Sequence, residues 1–257
     1  MNSKKALVVL SGGQDSTTCL AWALKMYRPE NVYAVTFDYG QRHSEELTSA
    51  HVIASLAGLK TRHERIAVPD VLQGTSPLVN RAVDVERYAD AASLPGGLEK
   101  TFVPMRNQLF LTLAANRAVC IALRDGAERV DIITGVSQED YGGYPDCRGA
   151  FISAMGTAIG ASLDAPALPL VHVVAPLMFL SKRDTVLMAQ RLPGALGLLS
   201  RSHTCYNGHR PPCGKCHACL LRAKGFADAG VTDPLLHYLA GSGDYTEAAI
   251  TQELARL

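Results

Sequence analysis

The stretch Ala6-Leu7-Val8-Val9-Leu10-Ser11-Gly12-Gly13-Gln14-Asp15-Ser16-Thr17-Thr18 decides the fold. Its first five residues form a short apolar run with the length and β-branched content of a buried strand. Gly12 and Gly13 then let the backbone turn tightly and approach a ligand closely. Asp15-Ser16 can cap a helix running through Thr18–Lys25. The start of such a helix offers free N–H groups and a partial positive charge. Hydroxyls from Ser11, Ser16, Thr17 and Thr18 add donors, so the set suits a phosphate chain. A plain strand-to-helix turn with a Ser/Asp cap explains the two glycines equally well. The pattern G-x-x-x-x-G-K-[ST] is absent and G-x-G-x-x-G does not fit here, which sets aside an ordinary P-loop kinase or GTPase.

Outward from this turn, strand and helix signals alternate. Asn31–Asp38 reads as a strand, and His43–Ala57 as a helix closed by Gly58. Thr61–Val68 reads as a weaker strand. Pro69–Lys100 has no firm period and is expected to be an insertion or long loop. Asn107–Arg124 is a strongly periodic helix stopped by Gly126, and Val130–Thr134 is a fourth strand. Helices over Phe151–Ser162 and Ser181–Arg191, the latter capped by Ser181, flank a fifth strand at Leu170–Ala175. This alternation predicts an α/β protein with a doubly wound, mainly parallel sheet. In such sheets ligands bind beyond the carboxyl ends of the strands. The unusual clusters fall there: Ser11–Ser16, Asp38–His43, Phe102–Asn107 and Gly135–Arg148. Two units are expected, an α/β domain over 1–195 with an insertion near 69–100, and a cysteine-bearing segment with a helical tail over 196–257.

Composition fits a globular protein. The 257 residues are 47% hydrophobic and 19% charged, which excludes long disorder and collagen-like structure. Lys+Arg is 25 against Asp+Glu 24, so the net charge of +1 argues against a nucleic-acid partner. No apolar run has the length of a membrane span or a signal-peptide core, so a soluble, cytoplasmic protein is expected. An odd number of cysteines, seven, argues against a disulfide framework.

Four of them form the spacing Cys205-x7-Cys213-x2-Cys216-x2-Cys219, with Gly208, Pro211, Pro212 and Gly214 supplying turns. Four thiolates this close can close one tetrahedral Zn²⁺ site with no vacant position, hence a structural zinc. An Fe–S cluster is the rival occupant. His203, His209 and His217 lie nearby and are expected to be solvated. A zinc ribbon on nucleic acid is a further reading, given Arg201, His209, Arg210, Lys215, Arg222 and Lys224.

Ser11-Gly12-Gly13-Gln14-Asp15-Ser16 resembles the SGGxDS signature of the PP-loop, or N-type, ATP pyrophosphatases, with their adenine nucleotide alpha-hydrolase-like fold. Within that superfamily, LSGGQDSTTCL (10–20), TFDYGQRHS (36–44), TFVPMRN (101–107), GVSQEDYGGYPDCR (135–148), PLMFLSK (176–182) and TCYNGHRPPCGKCHACLLRAKGF (204–226) are together similar to the 7-cyano-7-deazaguanine synthases, the QueC family. Three positions depart from that pattern: Met105 where Gly is usual, Gly142 where Ser is usual, and His217 where Pro is usual. The tail Val231–Leu257 is longer than expected.

The resemblance implies a carbon–nitrogen ligase that turns 7-carboxy-7-deazaguanine, ammonia and ATP into 7-cyano-7-deazaguanine for queuosine biosynthesis. It implies ATP on Leu10, Ser11, Gly12, Gly13, Gln14, Asp15, Ser16, Thr17, Thr18, Cys19 and Leu20, with Ser11, Asp15 and Arg106 in the chemistry. Asp15 is placed to organise Mg²⁺, to cap the helix, or both. Arg106, Asn107, Asp140, Tyr144, Asp146 and Arg148 are the substrate candidates. Asp140 and Asp146 would accept from the guanine edge, while Tyr144, or Tyr141 in the same loop, would stack. Arg42 and His43 are candidate phosphate contacts, and Cys147 is read as a structural thiol. Zn²⁺ on Cys205, Cys213, Cys216 and Cys219 and a homodimer complete the expectation. The alternatives are a PP-loop relative that thiolates a tRNA or attaches a deazaguanine to a tRNA or protein, and a non-enzymatic nucleic-acid binder. Thiolases need a reactive cysteine pair or an Fe–S cluster.

Overall fold

A computed structural model describes residues 4–68, 70–72, 74, 76–138, 144–241 and 243–257. Five strands, β1 (Lys4–Val9), β2 (Val32–Asp38), β3 (His63–Ala67), β4 (Arg129–Ile133) and β5 (Leu170–Val174), form one sheet in the order β3-β2-β1-β4-β5. All four pairings are parallel, and β1 is central, with Leu7 beside both Tyr33 and Ile132. Parallel strands covered on both faces need apolar residues at consecutive positions, which is why β1 and β2 read as continuous runs.

Alternation along β1 then sorts its side chains between two cores. Ala6, Val8 and Leu10 join Leu20, Leu24, Ile53, Val186 and Leu199 on one face. Leu7 joins Val35, Leu111, Ala118, Ile132 and Ile159 on the other. The first face is covered by α1 (Gln14–Tyr27), α2 (Glu45–Leu56), α5 (Lys182–Gln190) and α6 (Ala195–Leu199). The second is covered by α3 (Arg106–Asp125) and α4 (Gly149–Ser162). This is the doubly wound architecture expected. The chain moves outward from β1 through β2 to β3, then returns to the other side of β1 as β4. The loops after β1 and β4 therefore diverge and leave a crevice at that switch point.

Two local expectations need correction. Helix α1 starts at Gln14, with extended Gly13 at its N-cap and no side-chain cap, so Asp15 and Ser16 lie inside the first turn. Helix α2 starts at Glu45, two residues after His43. The stops at Gly58 and Gly126 are as read, both with positive φ.

The insertion contains, among its described residues, one short turn of helix at Ala91–Ser93. It is tied down by Arg42, whose guanidinium donates to the backbone carbonyls of Pro77, Asn80, Arg81 and Val83 at 2.6–3.2 Å. The Tyr88 N–H donates to Lys215 O at 2.8 Å, and Val85 packs among the cysteines. Beyond residue 195, α7 (His217–Ala229), α8 (Pro234–Leu239) and α9 (Glu247–Leu254) follow. Phe226 of α7 and Ile250 of α9 are buried in the first core, alongside Leu20 and Val186.

Met105 precedes α3 in the left-handed conformation, with φ 65° and ψ 2°, and is 58% exposed. A left-handed non-glycine residue costs about 1–2 kcal/mol, and an exposed side chain returns little of it through packing. Part of that strain is offset by glycine's larger unfolded-state entropy. Met105→Gly is therefore expected to stabilise the protein by about 0.5–1 kcal/mol, raising the melting temperature by about 2 °C. A lowered melting temperature would count against this account of the position.

Candidate active site

The crevice holds a cavity of about 290 Å³. Its floor is the end of β1 and the turn after it, and its walls come from the loops after β2 and β4, the start of α3, and the residues around the cysteines. Gly12 makes the floor possible. Its φ is +92°, and a Cβ there would sit 2.3 Å from Glu46 O and 2.7 Å from Ala50 N, so α2 packs directly on the turn. Gly135, after β4, closes the other side: a Cβ would meet Ser16 N at 2.9 Å.

Within the turn, the Gly13 N–H donates to Ser11 Oγ at 3.2 Å and the Ser11 N–H donates to Ser16 Oγ at 3.1 Å. The hydroxyls of Ser11 and Ser16 are also 3.0 Å apart. Of the eleven residues expected on ATP, Leu10, Ser11, Gly13, Gln14, Asp15 and Ser16 line the cavity. The other five support it from behind. Thr17 and Thr18 are fully buried, with hydroxyls turned back onto Gly13 O and Gln14 O. Cys19 and Leu20 are core residues, and burial raises the Cys19 thiol far above its ordinary range. Gly12 is covered by α2.

Asp15 Oδ2 accepts from Lys182 Nζ at 2.6 Å. The lysine is the first residue of α5, with Ser181 at the N-cap accepting from the Asp184 N–H. Asp15 Oδ1 is buried and has no protein partner among the described residues. The Gln14 amide nitrogen is in the same condition. One carboxylate oxygen is thus held by a lysine while the other is left for a cation, which fits Mg²⁺ beside a phosphate chain.

Arg106, the first residue of α3, lines the cavity together with Tyr39, Tyr144 and Tyr206. Burial pushes all three phenols above their ordinary range, so they are neutral neighbours of the guanidinium. Asn107 also lines the cavity, but its side chain donates to Asp146 O at 3.2 Å. Asp146 does not line the cavity. It is buried, its carboxylate accepts from the Asn107 N–H at 3.4 Å, and burial raises its carboxyl pKa. Arg148 is exposed at the N-cap of α4 and lies outside the cavity. Tyr144 faces the cavity, its hydroxyl 2.7 Å from Thr101 Oγ1. Asp140, Tyr141 and Gly142 lie outside the described residues. Arg42 is engaged with the insertion and does not line the cavity, whereas His43 does.

Several cavity residues escaped the sequence reading. Glu99, from the insertion, is buried, accepts from Thr101 Oγ1 at 3.0 Å and has its carboxylate against His217 Nδ1. His203 and His217 are both buried rather than solvated. The His203 N–H donates to Gly12 O at 2.8 Å, joining the segment before the cysteines to the phosphate turn. Tyr206 and Thr204 extend that wall. A matching stretch ending in Lys182 was the only local hint of that lysine.

The four sulfur atoms of Cys205, Cys213, Cys216 and Cys219 lie within 4.8 Å of one another, with Cys213 and Cys219 3.9 Å apart. Tetrahedral zinc with Zn–S bonds of about 2.3 Å requires S···S separations of about 3.8 Å, so the set fits that ion. The Cys213 and Cys216 N–H groups donate to Cys205 Sγ and Cys213 Sγ at 3.4 Å. Such bonds favour thiolates, as does the N-terminus of α7, where Cys216 is the N-cap. Arg222 of α7 locks the segment. It pairs with both oxygens of Asp233 at 2.7 and 2.8 Å and donates to Ser202 Oγ at 2.8 Å and Thr204 Oγ1 at 3.0 Å.

A glycine turn feeding a helix at the switch point of a parallel sheet, with a cavity above it, places this chain among doubly wound α/β proteins with a candidate phosphate-binding turn. More narrowly, it belongs to the QueC family: the family described as "Queuosine biosynthesis protein QueC" matches residues 5–230. The chain is 50% identical to the 7-cyano-7-deazaguanine synthase of Gloeobacter violaceus, over 90% of this chain and 95% of that one. It is 48% identical to the synthase of Chromobacterium violaceum, covering 91% and 94% of the two chains. Identity to that of Thermoplasma acidophilum is 37%, covering 91% and 92%. Among solved structures, a 4-thiouridine synthetase–RNA complex with bound ATP is similar at 18% identity and a TM-score of 0.42, over 97% of this chain and 53% of that one. No helix among the described residues is long and apolar enough to cross a membrane.

Proposed function

We propose that the chain is an ATP-dependent ligase that joins ammonia to 7-carboxy-7-deazaguanine and dehydrates the product to 7-cyano-7-deazaguanine, in queuosine biosynthesis. The observation that carries the reading is one cavity that unites the Ser11–Ser16 turn with Arg106 among three tyrosines, in a chain of this family.

A carboxylate is a poor electrophile because its leaving group would be oxide. Attack of the carboxylate oxygen on the α-phosphate of ATP releases pyrophosphate and makes AMP the leaving group. Ammonia then displaces AMP and gives the amide. Removing the amide oxygen needs a second adenylation, after which loss of AMP leaves the nitrile. In this scheme the helix α1 N-terminus and the Ser11 and Ser16 hydroxyls hold the pyrophosphate, and Lys182 orients Asp15. Mg²⁺ on Asp15 would offset phosphate charge. Arg106 receives the substrate carboxylate or the developing pyrophosphate with its planar fork. Tyr144 offers a stacking face to the deazaguanine. Zn²⁺ on the four cysteines supplies structure only, since a closed tetrahedron offers no site to water. A cytoplasmic homodimer completes the proposal on family resemblance.

Incubation with the acid, ATP, Mg²⁺ and ammonium is expected to yield the nitrile by mass spectrometry, with AMP and pyrophosphate as co-products. Accumulation of ADP and phosphate instead would exclude this mechanism.

A further inference from the structure

A histidine–carboxylate pair lines the cavity and has no task in the scheme above. His43 lies just before α2 and Glu46 in its first turn. His43 Nε2 is 3.3 Å from Glu46 Oε2, and the two side chains are only 4% and 13% exposed. In the neutral ring, a carboxylate opposite Nε2 favours the proton there, which leaves Nδ1 its lone pair. His43 Nδ1 is buried and has no hydrogen-bond partner among the described residues. A buried acceptor in that state calls for an explanation, and a place in the chemistry is one. The pair adjoins the phosphate turn, because a Cβ on Gly13 would be 3.5 Å from Glu46 Oε1. The other titratable groups facing it include His203, which interacts with both His43 and Glu46, Tyr206, whose ring is 6.0 Å from that of His43, and Tyr39, which interacts with Glu46. Burial holds His203 toward its neutral form.

The proposed reaction removes two protons from the amide nitrogen: departing pyrophosphate can take the one lost as the amide oxygen is adenylated, and the other is left without a destination. In the last step the adenylated imidate, R–C(=NH)–O–AMP, becomes R–C≡N. The N–H electron pair becomes the third C–N bond, the C–O bond breaks with its pair going to AMP, and the proton must go to a base. In the earlier amide-forming step a second ammonia molecule can take the proton, but the imidate has no such companion. The reacting carbon is one oxygen away from the α-phosphorus, so the base has to stand near the phosphate turn.

We infer that His43 Nδ1 is the general base that takes the imidate proton, with Glu46 as the positioning residue that fixes the ring and stabilises the imidazolium. The inference rests on the synthase reading. Two half-reactions separate them, both on the full chain. Exchange of labelled pyrophosphate into ATP, driven by the acid without ammonium, reports binding and adenylation. Single-turnover conversion of the corresponding primary amide and ATP reports nitrile formation. His43→Gln keeps a donor toward Glu46 but cannot take a proton. It is expected to lower nitrile formation by about 10²–10⁴, to lower exchange by no more than about threefold, and to let the amide accumulate when the acid is supplied. Glu46→Gln should show the same split at about tenfold, and it carries the test should His43→Gln fold poorly. Equal losses in both half-reactions would make the pair a phosphate contact or a structural element, and wild-type nitrile formation in both variants would also end the inference. Absence of nitrile from the unaltered protein would instead remove the synthase reading.

Discussion

Gly12→Ala is expected to abolish acid-dependent ATP turnover. The substitution puts a Cβ 2.3 Å from the carbonyl oxygen of Glu46, on backbone that no rotamer change can move, at a φ of +92°. Strain of this kind costs about 1–3 kcal/mol from the dihedral alone, and the overlap adds a comparable amount. The turn or α2 must shift, and a displacement of about 1 Å at a reacting centre lowers rates by about 10²-fold. Pyrophosphate exchange should fall below one hundredth of wild type, with a melting temperature lower by several degrees. A Gly12→Ala protein with unchanged melting and near-normal exchange would show that α2 does not rest on this turn.

Serine at Cys216 or Cys219 should remove the metal, several kcal/mol of stability and the activity together. Thiolate–zinc binding contributes about 10 kcal/mol or more in small metal sites, comparable to the whole stability of a domain. Thr204–Leu220 has little regular structure of its own before α7, so a metal bound there would replace backbone ladders. The same segment supplies Thr204, Tyr206, His217 and Ala218 to the cavity, and His203 just before it anchors the phosphate turn through its N–H. A wall lost this way takes turnover with it, although no thiolate touches substrate. Elemental analysis, melting curves and turnover of the single variants check the coupling. A variant that keeps metal and melting temperature yet loses turnover would give the cysteine a chemical task. Iron with visible absorbance in anaerobic protein would replace zinc by an Fe–S cluster.

The strands and long helices were legible because burial on a parallel sheet forces local signals. Ala6–Leu10 and Asn31–Asp38 have to be apolar at successive positions, and Gly58 and Gly126 supply the positive φ that stops α2 and α3. The cysteine cluster was legible from spacing alone, since four thiols in fifteen residues leave little geometric choice. What failed was whatever depends on distant chain. Lys182 meets Asp15 across 167 residues, and the stretch that ends in the lysine does not say what it meets. His203 and His217 look like solvated histidines until the α1 turn and the insertion are packed over them. Asp146 looked like a base-reading carboxylate, but the N-terminus of α3 claims it. The cap of α1 misled for a local reason, because glycine can hold the extended N-cap conformation without a side-chain bond.

Arg42 recognises the insertion through four main-chain carbonyls and no side chain. A clasp of that kind is blind to residue identity. The clasp itself therefore tolerates substitution over residues 77–83, provided the path of the backbone and its length stay the same, and only other contacts, such as burial of Leu78 and the Asn80 side chain accepting from the Ala82 N–H, restrict the residues there. Insertions and deletions inside that stretch would break the clasp where substitutions do not. The arginine itself has no such latitude, since lysine, with one ammonium, cannot span the four acceptors.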